Sequence, residues 1–148
     1  MLQLDPIAVA NFLRAAVPAF VSVGLARDLA TARRETIRWP SAWIVLLAET
    51  AGDNRYASDD MIEQPVTARI AVIMAVRDIA DRAGRQASTD LQPLREAVML
   101  SLGRFIPESA DQSFRFSRGQ RLSGVDAKGG MFWQDEFTLR FDRRIPLI

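Results

Sequence analysis

The sequence contains no cysteine and no histidine. The first absence removes disulfides and thiolate nucleophiles, and the two together remove Cys/His zinc sites. Without histidine the commonest general base is gone, and no Ser-His-Asp set can form. Lysine is nearly missing as well: Lys128 stands alone and every other basic residue is arginine. The planar arginine fork suits bidentate pairing with carboxylates at interfaces, although a GC-rich genome produces the same bias. The net charge of only +1 argues against non-specific attraction to nucleic acid. No apolar run approaches the roughly 18–20 residues that span a bilayer. Residues 1–5 lack a basic segment leading into an apolar core, so neither a signal peptide nor a membrane partner is expected.

What is present suits one soluble domain, residues 1–148: 49% of residues are hydrophobic and 25% charged, enough for a core without staples. The most ordered pattern lies at 129–141. After two glycines, Met131, Trp133, Phe137, Leu139 and Phe141 alternate with Gln134, Glu136, Thr138 and Arg140, which predicts a half-buried strand. Asp135 interrupts its apolar side.

From the N-terminus, Asp5 and Pro6 open a helix as N-cap and first residue. Val9, Phe12, Leu13 and Ala16 form its stripe, and Pro18 ends it. Residues 20–25 read as a short strand with Val21, Val23 and Leu25 on one side, and 27–36 as a short surface helix. Residues 41–48 are apolar on both faces, the mark of a strand covered on both sides. A polar connection over 49–63 is long enough to suggest function or contact with a partner. In 64–77, Val66, Ala68, Ile70, Val72, Met74 and Val76 share a face, and the other face becomes apolar from Ile70. This is a strand that starts exposed, projecting from the body, and finishes buried. A polar connection at 78–87 leads to a second long helix, capped at Ser88, Thr89 or Asp90 with Pro93 in its first turn. Its stripe is Leu91, Leu94, Val98, Leu102 and Phe105, and Pro107 closes it. Residues 113–123 resume strand alternation, with Phe114, Phe116 and Leu122 opposite Arg115 and Arg121. A hairpin-type connection at 124–130 and a basic-then-apolar tail at 143–148 complete the chain. The expected fold is α+β: a mainly antiparallel or mixed sheet, two main helices packed on it, and a long projecting loop or hairpin. An open Rossmann-like domain would need a glycine-rich βα turn that is missing.

The chemistry-bearing residues argue against an enzyme. Asp59 and Asp60 sit in a polar loop, where solvated turn chemistry is the simpler account. On a strand, Asp135 and Glu136 point to opposite faces and cannot act together. Gly119, Gly124, Gly129 and Gly130 are too dispersed to cradle a phosphate. No cofactor or metal is expected. Trp133 and Phe137 read as core. Arg115, Arg118 and Arg121 would form an exposed basic stripe, but without aromatics on its own face it is a poor platform for single strands. Asp135 has two readings: a buried carboxylate paired within the chain, or one paired with an arginine of a neighbouring subunit.

Several ordered segments resemble the phage tail terminator family. They are residues 40–46 (Pro-Ser-Ala-Trp-Ile-Val-Leu), Ala48–Glu49 with Asn54–Arg55, 64–67 leading into 72–77, the helix at 91–105, and 133–137 (Trp-Gln-Asp-Glu-Phe). The resemblance implies a small α+β virion subunit of the tail, assembled in the host cytoplasm. Six copies would form a homo-oligomeric ring at the head-proximal end of the tail tube, ending tube polymerisation. Its partners would be other copies of itself, the tail tube protein and the head–tail connector or neck protein. DNA would pass through the ring without sequence-specific contact. A closed ring needs two different patches per subunit. Residues 52–67 and the edge at 115–121 are the expected contacts, with Asn54, Arg55, Tyr56, Gln64, Arg69, Arg115, Arg118, Arg121 and Asp135 as candidate interface residues. A neck or tail-completion subunit is the rival reading, and a host module binding a small acidic ligand is a more distant one.

Overall fold

The computed structural model describes residues 1–32, 37–56, 58–77, 85–122 and 130–147. The chain runs α1 (Pro6–Ala16), β1 (Ser22–Leu25), α2 (Ala26–Ala32), β2 (Ser41–Ala51), β3 (Met61–Arg77), α3 (Arg85–Leu102), β4 (Arg115–Arg121) and β5 (Gly130–Pro146). The strands form one sheet in the order β1-β2-β3-β5-β4. β1 and β2 are parallel and are joined through α2; the other pairings are antiparallel. This is the mixed α+β arrangement that the alternation predicts.

The period-two pattern of β3 fixes which side faces which helix. Val66, Ala68, Ile70, Val72, Met74 and Val76 are buried together with Val9, Ala10 and Leu13 of α1 and Leu91, Leu94, Val98 and Leu102 of α3. Met131, Phe137, Leu139 and Phe141 of β5 join the same core. The opposite face carries a smaller cluster, Trp43, Ala71, Ile73 and Ala75, covered by Leu29 of α2 with Ile37, Trp39 and Phe132 beside it. β3 is therefore buried on both faces from Ile70 onward and only partly covered before Val66.

Helix ends follow local chemistry. The Ile7 N–H donates to Asp5 Oδ1 at 2.9 Å, and the Val17 N–H closes α1 onto the Leu13 carbonyl at 2.8 Å. α3 departs from expectation at both ends. It begins at Arg85, so Ser88, Thr89 and Asp90 lie inside it and do not cap it. Pro93 sits in its interior, where the missing N–H removes one helical bond; the packed stripe from Leu91 to Leu102 outweighs that local cost. The helix ends at Leu102: the Gly103 N–H makes the last helical bond, to the Met99 carbonyl at 2.9 Å, and the Arg104 and Phe105 N–H groups then bond three residues back, to the Ser101 and Leu102 carbonyls, as the chain turns away. Phe105 leaves the helix and stacks on Phe12, ring centroids 4.0 Å apart. Val21, expected on the buried side of β1, precedes that strand and is exposed.

The expected 49–63 loop is shorter, since β2 continues to Ala51 and β3 starts at Met61. The tail at 143–146 is likewise strand, pairing with residues 61–64 of β3. Only β2, β3 and β5 continue past Ile44 on one side and Thr138 on the other, because β1 and β4 end there. A three-stranded arm results, closed by the connection at 52–60. Gly52 is required at its bend: its N–H bonds the Pro65 carbonyl at 2.8 Å, and a Cβ would stand 2.7 Å from Pro65 Cγ. Of the connections expected at 78–87 and 124–130, residues 78–84 and 124–129 lie outside the described residues, while 85–87 belong to α3 and Gly130 to β5.

Ile70, fully buried between the helices and the sheet, tests this core. Ile70→Ala should lose about 2–5 kcal/mol in urea unfolding. Leu100→Ala, on the exposed side of α3, should stay within about 0.5 kcal/mol of the parent.

Candidate functional site

Asp135 and Glu136 are neighbours on β5 that face opposite sides of the sheet, and both are buried. Each has recruited arginine. On the helix-covered face, Arg95 of α3 grips Asp135 with two bonds, Nε to Oδ2 and Nη2 to Oδ1, both 2.9 Å. Trp133 Nε1 donates to Oδ1 at 2.8 Å, and the Arg95 guanidinium lies over the Trp133 ring at 4.6 Å. Two charge-assisted bonds and a neutral one satisfy the carboxylate. The indole serves two purposes, as donor to Asp135 and as platform for Arg95. Gly119 of β4 lies opposite Asp135, and a Cβ there would stand 2.5 Å from Oδ1 and 2.9 Å from Arg95 Nη2. Only glycine leaves room for this ion pair.

On the other face, Arg69 of β3 donates to Glu136 Oε1 at 3.1 Å. Arg118 Nε stands 2.7 Å from Oε2 but out of line for a hydrogen bond, so charge and not a directed donor balances that oxygen. Arg118 also donates to Gln120 Oε1 at 2.7 Å. Arg115 pairs in register with Thr138, the residue that also faces Arg69. Three arginines thus surround one carboxylate on a part of the sheet that no described helix covers.

A bulge between Phe116 and Arg118 decides which arginines share this face. Two residues there oppose one on β5, and side-chain parity shifts by one. Arg115 and Arg118 consequently share a face, while Arg121 turns to the helix side, opposite Trp133. There it lines a cleft of about 350 Å³ with Leu91, Gln92, Arg95 and Met131. The expected single stripe of Arg115, Arg118 and Arg121 is corrected accordingly. Phe116 is also more exposed than expected, although it lies on the helix side of the sheet and touches Phe137 edge-on at 5.7 Å.

The other candidates gather at the arm. Asn54 Oδ1 accepts from the Tyr56 and Glu63 N–H groups at 3.0 and 2.8 Å, so its side chain shapes the connection. Arg55 is ion-paired with Asp142, and its N–H bonds the Glu63 carbonyl at 2.8 Å. Tyr56 is exposed, and Gln64 pairs in register with Arg143. Arg143 in turn binds Glu49 at 2.7 Å and the Leu2 carbonyl at 2.6 Å, tying the N-terminus to the arm. Of the two readings of Asp135, the structure carries the first. Its side chain is fully buried and its bonds stay within the chain, so it offers no atom to a neighbour. Arg95 went unremarked in the sequence although it sits four residues after Leu91, on the flank of the buried stripe.

Among the described residues, no three carboxylates come together as a cation site, and no helix is long and apolar enough to cross a membrane. The phage tail terminator protein family matches residues 1–146. The chain belongs to the phage tail terminator family. No curated protein matches it. A tail terminator is a structural component of the phage tail and acts together with other tail components. The residues that this tail terminator holds most tightly are thus explained as scaffold: Arg95, Asp135, Trp133 and Gly119 lock α3 to β4 and β5.

Arg95→Met leaves Asp135 buried without its counter-charge and should cost about 3–5 kcal/mol. Asp135→Asn, which keeps an acceptor for Trp133, should cost less. Thermal melting of both variants checks the order, and an Arg95→Met protein as stable as the parent would refute the role given to the pair.

Proposed function

We propose that six copies of this chain close into a ring on the head-proximal end of the tail tube. The ring ends tube growth and presents the surface on which the head–neck complex docks. Assembly takes place in the host cytoplasm, and DNA passes through the opening without sequence-specific contact. The observation that carries this reading is the family match over residues 1–146.

Two features of the subunit support it. A cyclic ring needs a heterologous interface, with one patch of each subunit meeting a different patch on the next. The arm closed at 52–60 and the arginine-bearing edge at β4 are two such patches on different parts of the sheet. Asn54 and Arg55 give the arm its shape, and Tyr56, Gln64, Arg69, Arg115, Arg118 and Arg121 remain as side chains for contact.

Omission is the direct test. Tails assembled without this protein should appear in electron micrographs as overlong tubes lacking heads. Tubes of normal length that still carry heads would refute termination.

A further inference from the structure

The arm tip and the arginine face have opposite charge. The tip carries Asp53, Asp59 and Asp60, all exposed, and its only arginine, Arg55, is already engaged by Asp142. The face carries Arg69, Arg115 and Arg118 around the single carboxylate Glu136. Arg140, in the next row, shares a cleft with Asp111 and Asp142 and adds no excess charge. The tip also exposes Tyr56, whereas the exposed Phe116 of β4 lies with Phe137 on the other side of the sheet from the arginines.

The two patches cannot meet within one chain. Arg69 lies eight residues along β3 from Met61, where the tip begins, and at the rise of an extended strand this is about 27 Å. β3 is paired with β5 over the whole of that length and with β2 from Val66 onward, so it cannot bend back on itself. We infer that the acidic tip of one copy docks on the arginine face of a neighbouring copy, with Asp53, Asp59 and Asp60 against Arg115, Arg118 and Arg69. The contact rests on the ring reading and specifies it: tip against face is heterologous, so a third copy can always join until the rotation closes. Direct pairing between sheet edges is the less suitable route, because β2 and β4 are bulged at Leu47 and Ser117, and bulges spoil a ladder.

The absence of cysteine gives a clean test. Asp59→Cys and Arg115→Cys are made in separate chains and mixed, both free at high concentration and on assembled tails, under mild oxidation. A disulfide between the two variants is expected, and none should form when Leu100→Cys replaces Arg115→Cys. Arg115 makes no ion pair among the described residues, so changing it leaves the Glu136 network intact. Arg115→Glu should weaken self-association at least about tenfold, and Asp59→Arg in the same chain should restore it. Rings that form without this cross-link, and an Arg115→Glu protein that assembles like the parent, would overturn the contact and leave the ring standing. A protein that never self-associates, free or on tails, would remove the ring and the contact together. Duplex DNA bound by the parent and lost on Arg115→Glu, with assembly unchanged, would assign the arginine face to nucleic acid and refute the proposal.

Discussion

The seventeen-residue pairing of β3 with β5 is the constraint on which the rest of the structure depends. Because every rung is in register, the even positions of β3 and the odd positions of β5 share one face without interruption. A shift of one residue would turn Ile70, Val72, Phe137 and Leu139 away from the helices together. The helices then need only supply apolar stripes, and both main helices do so against the same face. The pair is also longer than the body it anchors. Where the helices and the flanking strands end, the ladder continues as the arm, so the core and the projecting element are parts of the same two strands.

The same register explains why two adjacent carboxylates can both be buried. Asp135 and Glu136 face opposite sides of the sheet, so neither repels the other at short range and each has its own arginine partners. Their solutions differ. Asp135 is gripped by Arg95 through two aligned bonds and shielded by Trp133, with Gly119 clearing the space. Glu136 is held by Arg69 and Arg118, both about half-exposed, and has one oxygen without an aligned donor. The first arrangement ties three elements together and keeps its carboxylate out of solvent. The second leaves two arginines with donors to spare at the surface, which makes that face the more adaptable of the two.

Much of the fold was legible in the sequence because alternation is a direct consequence of strand geometry. The faces of β3 and β5, the N-cap at Asp5 and the helical stripe from Leu91 to Leu102 all follow from period and capping chemistry. What escaped did so for physical reasons. The start of α3 was placed too late because Pro93 reads locally as a first-turn residue, while in the structure packing holds it inside the helix. The length of the 52–60 connection was overstated because Glu49–Thr50 and Glu63 are polar and flank turn residues, yet backbone pairing with long neighbours keeps them in strand. The parity of Arg121 depended on a bulge at Ser117, and a single extra residue leaves no mark in composition. Arg95 was hidden because its worth comes from Asp135, forty residues away, which no local pattern connects to it.

The proposed role, ending a polymer, requires a subunit that joins its neighbours without offering them an unlimited template. The outer strands of this sheet meet that demand through their chemistry. β1 is only four residues long, and β4 carries three arginines and a bulge; short, charged and bulged edges resist the addition of further strands. In the proposed ring, association would therefore fall to side chains, whose geometry and charge pattern are specific and whose number of partners is limited. Arginine suits this work, since its fork can hold a carboxylate within the chain and still present further donors outward. Arg118 already does both, engaging Glu136 and Gln120 from an exposed position on the edge. With lysine nearly absent, arginine is the cation of every ion pair described in this chain.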